Sequence, residues 1–349
     1  MQARIAGEQS LFRTIVFQIT HGSSRTPMRK LLGALASGIL SVTVWTAVDC
    51  AYAQQKPTRF LIFAAGGPVD FVGRNLAVKL SPLLGTPVVV EARPGASGVV
   101  AAQAVANSEP DGSTLLLASS GLLTITPTIT RDLPYDTDKA LVPVGRIVVN
   151  ATAFVIAAST PPNNVREFVA FGKSRKESLI FGSPGIGNIG QIWIATFKNA
   201  TGLDITTVPY KGIAPVLIDV LGGRAVGAFA DMPAVLSHVK AGKLKALGVV
   251  GTRRNSAAPD IPTIDEQGYP GVDALSWYGV LAPAKTPPAI VAKLNEALTR
   301  ALADRELIDK LAASGVAAAS STPDEFRQLI HNDRTRLAKI IAELKMVAE

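Results

Sequence analysis

Strands that end in glycine or proline and are followed at once by a helix recur along this chain, and they constrain its fold more than any other feature. In the first such unit, an apolar run at residues 59–63 leads into the glycines and proline of residues 66–68. A helix is predicted to begin at Asp70, because apolar residues recur at helical spacing up to Leu84 and Gly85 follows. Strands that alternate with helices predict α/β domains with largely parallel sheets.

The loop of this first unit has the features of an anion-binding site. Gly66 and Gly67 let the backbone turn sharply and approach a ligand without a Cβ in the way. The helix start behind the loop presents unpaired N–H groups and the positive end of the helix dipole. The loop lacks the GxGxxG and GxxxxGK[ST] spacings of nucleotide-binding loops. The alternative is a loop that serves packing alone. Asp70 is interpreted first as the helix N-cap and second as a ligand contact.

A second glycine- and proline-rich loop, at residues 183–188, precedes a predicted helix at residues 189–200. If the two halves of the chain face each other, both helix starts point into one cleft, since α/β sheets bind ligands beyond the carboxyl ends of their strands. The crossings near residues 149–158 and 274–282 would then be the hinge. Two ordinary domains whose loops never meet are the alternative.

The N-terminus predicts export. Residues 28–30 are a short basic start, residues 31–48 carry no charge, and small residues stand before Gln54. This order is that of a signal peptide, and we expect the start at Met28, cleavage after Ala53 and a periplasmic protein, residues 1–27 being an extension. The alternative is a membrane anchor, for which the uncharged run at residues 31–48 has the lowest length that spans a bilayer.

Composition excludes several function classes. Residues 1–53 hold five basic and two acidic side chains, so their removal lowers the net charge from +8 to +5. The basic residues are scattered, and no nucleic-acid-binding module is recognised. The one cysteine, Cys50, leaves with the signal peptide, which excludes a disulfide, a thiolate nucleophile or a cysteine-based metal site. His238 and His331 are far apart, which argues against a serine hydrolase or a zinc enzyme.

Seven short motifs span the rest of the chain and together resemble the periplasmic solute-binding proteins of the tripartite tricarboxylate transporter family, often called Bug proteins. The motifs occupy residues 64–70, 91–98, 111–116, 182–185, 208–212, 241–247 and 277–283. The resemblance implies a two-domain α/β fold of the periplasmic-binding-protein (Venus flytrap, type II) kind with two crossover strands. We expect residues 57–155 and 278–349 to form domain 1 and residues 156–277 to form domain 2.

The resemblance also implies capture of a small carboxylate, delivery to a two-subunit membrane permease, no catalysis, no metal and no cofactor. In such proteins backbone N–H groups of the two loops hold the ligand carboxylate. The sequence departs from the family at Ala65 and Val69, where Pro and Thr are usual, and at Asn188 and Gln191, where Ser and His are frequent. Asn and Gln can still donate to an anion.

The predicted ligand-binding residues follow the strand ends of both halves. They are Gly66, Gly67, Pro68, Val69, Asp70, Ser119, Ser120, Gly121, Ser183, Pro184, Gly185, Gly187, Asn188, Gln191, Tyr210, Lys211, Gly212 and Asp231. Lys211 either pairs with a second carboxylate or is solvated, and Asp231 is interpreted as a second helix N-cap that faces the cleft. Trp277 and Tyr278 either pack the hinge or stack on an aromatic acid.

The function expected from these observations is a monomeric periplasmic protein that binds a di- or tricarboxylate, an amino acid or an aromatic acid for a permease. A ligand sensor for a two-component regulator is the alternative. A periplasmic enzyme is a third hypothesis, for which Asp70, Asp231 and the two histidines are the available general bases.

Overall fold

Two β-sheets organise the protein in the computed structural model, which describes residues 56–343. The predicted signal peptide lies outside the described residues. In chain order the strands are β1 (Thr58–Ile62), β2 (Val88–Ala92), β3 (Thr114–Ser119), β4 (Leu141–Asn150), β5 (Thr152–Ala157), β6 (Leu179–Ser183), β7 (Ile205–Pro209), β8 (Gly227–Asp231), β9 (Leu244–Val249), β10 (Ser276–Pro283) and β11 (Val316–Ala318). The first sheet has the order β11-β4-β10-β3-β1-β2, and the second has the order β7-β6-β8-β5-β9.

The helices connect and cover these strands, and the residues packed around each sheet are called the first and second lobe below. The helices are α1 (Pro68–Leu84), α2 (Val99–Ala106), α3 (Ser120–Thr124), α4 (Thr126–Ile129), α5 (Thr137–Ala140), α6 (Val165–Lys173), α7 (Ile189–Thr201), α8 (Ile213–Leu221), α9 (Met232–Lys240), α10 (Pro288–Leu302), α11 (Arg305–Ala312) and α12 (Pro323–Glu343). Within the described residues, no helix combines the length and apolar character needed to span a membrane.

The prediction of largely parallel sheets holds for only part of each sheet. β1, β2 and β3 pair in parallel, as do β6, β7 and β8, but β10 and β5 run antiparallel to both of their neighbours. The reason is the path of the chain between the sheets. Ala151 alone separates β4 from β5, so β5 begins where the strands of the second sheet end and must run away from that edge.

The chain passes from the first sheet to the second at Ala151 and returns between Val249 and Ser276. The first passage lies within the predicted hinge segment 149–158, and the second ends within segment 274–282. The predicted domain boundaries stay a prediction.

The C-terminal helix α12 packs against both lobes. Near its start, Phe326 and Ile330 are buried in the first lobe, where Phe326 meets Trp277 edge to face at 5.4 Å between ring centroids. Near its end, Leu337 and Ile341 are buried in the core of the second lobe. A capping box begins this helix: Glu325 N donates to Thr322 Oγ1, and Thr322 N donates to Glu325 Oε2 at 2.8 Å.

Five phenylalanines form the centre of the second lobe. The Phe154 ring on β5 lies 4.8 to 5.5 Å, centroid to centroid, from the rings of four others, and all five are fully buried. These four are Phe168, Phe181, Phe197 and Phe229. Rings at these distances add attraction beyond the burial of their area. The core therefore fixes β5 between β8 and β9 in its sheet, directly after the passage between the lobes.

Candidate ligand-binding site

A cleft of about 720 Å³ lies between the two lobes, at the edge where the parallel strands of both sheets end. Its walls come from the loops after β1, β2, β6 and β7, from the end of β8 and from the start of β10. The lining residues are 63–69, 94–98, 119, 184–186, 188, 189, 193, 209–214, 229–231, 276 and 278. The alternative in which the two loops never meet is therefore wrong, because both line this one cleft.

Twelve of the predicted ligand-binding residues line the cleft. They are Gly66, Gly67, Pro68, Val69, Ser119, Pro184, Gly185, Asn188, Tyr210, Lys211, Gly212 and Asp231. Six others are brought close to it without lining it: Asp70, Ser120, Gly121, Ser183, Gly187 and Gln191. Which of them contact a ligand stays a prediction.

The first loop begins helix α1 earlier than the sequence predicts. Gly67 is the N-cap and no side chain caps the helix, so the interpretation of Asp70 as N-cap is wrong. Asp70 lies in the first turn and reaches back to accept a hydrogen bond from Gly66 N at 3.1 Å, and it forms an ion pair with Arg74 at 2.8 Å. Its charge is thereby compensated beside the cleft. Pro68 has no N–H, so Val69 and Asp70 supply the N–H groups of this helix start that lack a partner within the helix.

The second loop is held in shape by its own polar side chains. Gln191 Oε1 accepts from Gly187 N at 2.8 Å, and Ser183 Oγ donates to Gly185 O at 3.1 Å. Asn188 is the N-cap of α7, and its Oδ1 accepts from Gly190 N at 2.9 Å. Gln191 therefore uses its amide oxygen to shape the loop, and Asn188 uses its own to cap the helix. Of these polar side chains, Asn188 alone lines the cleft.

The third loop, at residues 210–212, adds a cationic side chain. Tyr210 Oη donates to Asp219 Oδ2 at 2.7 Å, which raises the pKa of Tyr210 and fixes its ring against the cleft. Gly212, with φ of 97°, is the N-cap of α8. Lys211 lies between them, exposed and in the cleft wall. Another helix start thus faces the cavity, with a lysine beside it.

A fourth loop was not predicted as part of the site. Residues 94–98 line the cleft, and both Ala96 and Ser97 have positive φ, at 44° and 52°, a region that non-glycine residues rarely adopt. Ser97 Oγ donates to Ile186 O in the opposite lobe. The sequence signal was present, because Pro94 and Gly95 precede a helix here as in the predicted loops. The positive φ at Ala96 and Ser97 has no such signal.

Residues 119–121 lie where the first lobe contacts the second loop. Ser119 is the N-cap of α3 and lines the cleft, whereas Ser120 is buried. Gly121 lies directly against the second loop, where an added Cβ would be 3.0 Å from Ile189 N and 3.2 Å from Gly187 O. Gly121 therefore belongs to the contact between the lobes, and Ser120 is buried instead of lining the cleft surface.

Asp231 ends β8 at the base of the cleft and binds residues of both lobes. It stands at the N-cap position of α9, but its side chain makes no capping hydrogen bond, which corrects the sequence interpretation. Its Oδ1 accepts from Thr152 Oγ1 at 2.8 Å, and its Oδ2 accepts from Ser276 Oγ at 3.0 Å and Tyr278 Oη at 3.1 Å. Asn150 Nδ2 donates in turn to Ser276 Oγ at 3.2 Å, which directs the Ser276 proton to Asp231.

The electrostatics of this group are set by its surroundings. Burial raises the pKa of the Asp231 carboxyl above its ordinary value, and the hydrogen bonds from the three hydroxyls act in the opposite direction. Burial and the neighbouring Asp231 also raise the pKa of Tyr278, so its hydroxyl remains protonated and donates. Tyr278 lines the cleft, while Trp277 packs away from it and donates from Nε1 to Asp333 Oδ2 at 2.7 Å.

Two lobes that close over a cleft at the carboxyl ends of their strands define the periplasmic-binding-protein class. The structure of the periplasmic binding protein BugD superposes with a TM-score of 0.79 at 29% identity, covering 84% of this chain and 99% of that one. The chain belongs to the tripartite tricarboxylate transporter receptor family, TctC, whose model matches residues 72–346. The predicted family and fold class are confirmed.

Several relatives are similar over nearly the whole chain. BugT of Bordetella pertussis is 32% identical over 318 residues, which are 90% of this chain and 98% of BugT. An R. palustris protein solved with adipate gives a TM-score of 0.79 at 30% identity, covering 83% of this chain and 99% of its own. MatC from Rhodopseudomonas palustris, solved with bound malate, gives a TM-score of 0.75 at 29% identity and covers 82% of this chain and 99% of its own.

Proposed function

We propose that this protein is a periplasmic solute-binding protein that captures a small organic carboxylate in the interlobe cleft and delivers it to a tripartite tricarboxylate transporter permease. The observation that carries the proposal is the convergence of helix starts from both lobes, those of α1, α7 and α8, on one cleft. Each start offers backbone N–H groups and a positive dipole end to an anion. Closure between two such walls holds a carboxylate away from water.

The comparisons support this proposal. Two of the similar structures were solved with adipate and with malate, and both ligands are small carboxylates. The family is a receptor family, so we propose that this chain binds its ligand without converting it. A signal peptide at residues 28–53 would place the mature protein in the periplasm, where we expect a monomer.

Ligand-induced stabilisation tests the proposal. The purified protein is melted with adipate, malate, succinate, citrate, L-glutamate and benzoate, and a true ligand at 100 times its Kd adds about 2.7 kcal/mol of stability. For a protein of this size that raises the Tm by roughly 4 °C. The ligand is recovered afterwards, and we expect it to be unchanged. Failure of the whole panel to raise the Tm would refute carboxylate capture.

A matched pair of variants locates the binding. Gly67 has extended backbone angles and nothing within 4 Å of an added Cβ, so a side chain fits there. Gly67→Glu introduces a carboxylate at the start of α1 and should abolish the Tm rise. Gly67→Gln has the same shape without the charge and should retain part of it. Equal behaviour of the two variants would contradict an anion site at this loop.

Delivery has its own test. Cells that express the protein together with the permease should accumulate radiolabelled ligand, and cells that lack either component should not. Uptake without the binding protein would refute its role in transport.

A further inference from the structure

The cleft contains one negative charge that an anionic ligand does not explain. Among the described residues that line it, Lys211 and Asp231 are the charged ones. Lys211 lies in the third loop, where a helix start already favours an anion. Asp231 lies at the base of the cleft, where a second carboxylate of a ligand would be repelled.

Every hydrogen bond to the Asp231 side chain is one that its carboxyl oxygens accept. Thr152, Ser276 and Tyr278 each direct a hydroxyl proton at its oxygens. A carboxylate accepts about four hydrogen bonds, so one position remains, on Oδ1, which has a single partner. No lysine or arginine in residues 56–343 forms an ion pair with Asp231, so the donors around it are neutral hydroxyls.

The geometry points to an amino acid as the ligand: the helix starts bind its carboxylate, and Asp231 binds its ammonium group. This inference rests on the proposed capture of a carboxylate and narrows the class of ligand. An ammonium group supplies both the missing donor and the compensating charge, whereas a ligand hydroxyl would add a fourth neutral donor only. The two opposite charges of an amino acid also match the charged side chains of the cleft wall, which are Lys211 and Asp231.

Paired ligands that differ by the ammonium group alone test this inference. Calorimetric titration compares L-aspartate with succinate, L-glutamate with glutarate, and 4-aminobutyrate with butyrate. We expect the amino member of at least one pair to bind tenfold or more tightly than its partner. In Asp231→Asn that preference should fall at least tenfold, while the affinity for the amino-free acid stays the same or rises.

Asp333→Asn is the matched control, because it makes the same change at a half-buried carboxylate next to β10 that does not line the cleft. It should leave the preference unchanged. If succinate, glutarate or butyrate binds at least as tightly as its amino partner in every pair, or if Asp231→Asn weakens both members equally, the inference is overturned while carboxylate capture stands. If no acid of either kind binds, the proposed function itself fails.

Discussion

Substitution of Gly121 by alanine should weaken ligand binding without unfolding the protein. The new methyl group would lie 3.0 Å from Ile189 N, 3.2 Å from Gly187 O and 3.4 Å from Asn188 Cα, all in the opposite lobe. These neighbours are backbone atoms, so they cannot rotate away as a side chain can. The lobes must separate by a few tenths of an ångström, or the contact between them is strained.

The size of the effect follows from the cost of overpacking. Inserting a methyl group into a well-packed contact costs about 1–3 kcal/mol. Because this cost arises only when the lobes are together, it is subtracted from the binding free energy and lowers affinity about 5- to 150-fold. The ligand-free protein avoids this strain when its lobes open. In addition, alanine favours a helix over glycine by up to about 1 kcal/mol. Its Tm should therefore be unchanged or raised.

Calorimetric titration with whichever acid binds the unmodified protein measures this loss, and melting without ligand measures stability. Gly73→Ala is the control, because the nearest atom to its new methyl is Leu117 Cδ2, a side-chain atom of the same lobe at 3.2 Å. That variant should change the Tm but not the Kd. Binding by Gly121→Ala with unaltered affinity, or an equal loss in both variants, would refute the reasoning.

Three further predictions concern the core and the acidic groups. Phe154→Ala removes the ring that contacts four others and should lower the free energy of unfolding by about 3–5 kcal/mol, measured by urea denaturation. Hydrogen bonds from Arg59 and Arg93 lower the pKa of Glu91, so the stability they add is present above the ordinary glutamate pKa and is lost as the pH falls through the lowered value. Glu91→Gln should therefore lower the free energy of unfolding by less than about 1 kcal/mol at pH 7, since these groups are about one-third exposed. In strong acid the substitution should leave the free energy of unfolding unchanged. The pKa of Asp231 is raised instead, so its favourable contribution exists below the ordinary aspartate pKa and disappears as the pH rises through the raised value. Urea melts should then show Asp231→Asn gaining stability relative to the unmodified protein between pH 3 and pH 7, and a constant difference would contradict this.

The sequence predicted the loops of the site because their signal is local. Gly66-Gly67-Pro68 and Pro184-Gly185 each follow a strand and predict both a turn and a helix start. Parallel strands bring such strand ends to one edge of a sheet. The same signal stands at Pro94-Gly95, but these residues were not predicted to form a cleft wall. The directions of β5 and β10 could not be predicted in this way, because they depend on the path of the chain between the lobes.

The environment of Asp231 could not be predicted, because its partners are remote in sequence. Thr152 is 79 residues away, Ser276 is 45 away and Tyr278 is 47 away. Hydroxyl residues on strands are common and carry no pattern that marks such a cluster. It forms because β5 and β10 both begin at the base of the cleft, and that follows from the sheet order.

Asp70 and Asp231 show why one local pattern leads to two outcomes. Each follows a strand and stands at a helix start, and the same interpretation, an N-cap, was made for both. Asp70 has Arg74 four residues later on the same helix face, at a spacing that forms ion pairs, and the two are 2.8 Å apart. Asp231 has Val235 at that position, so no local cation compensates it, and its charge remains in the cleft. The residue four positions on therefore separates Asp70, which shapes a loop, from Asp231, for which we infer a contact with the ligand.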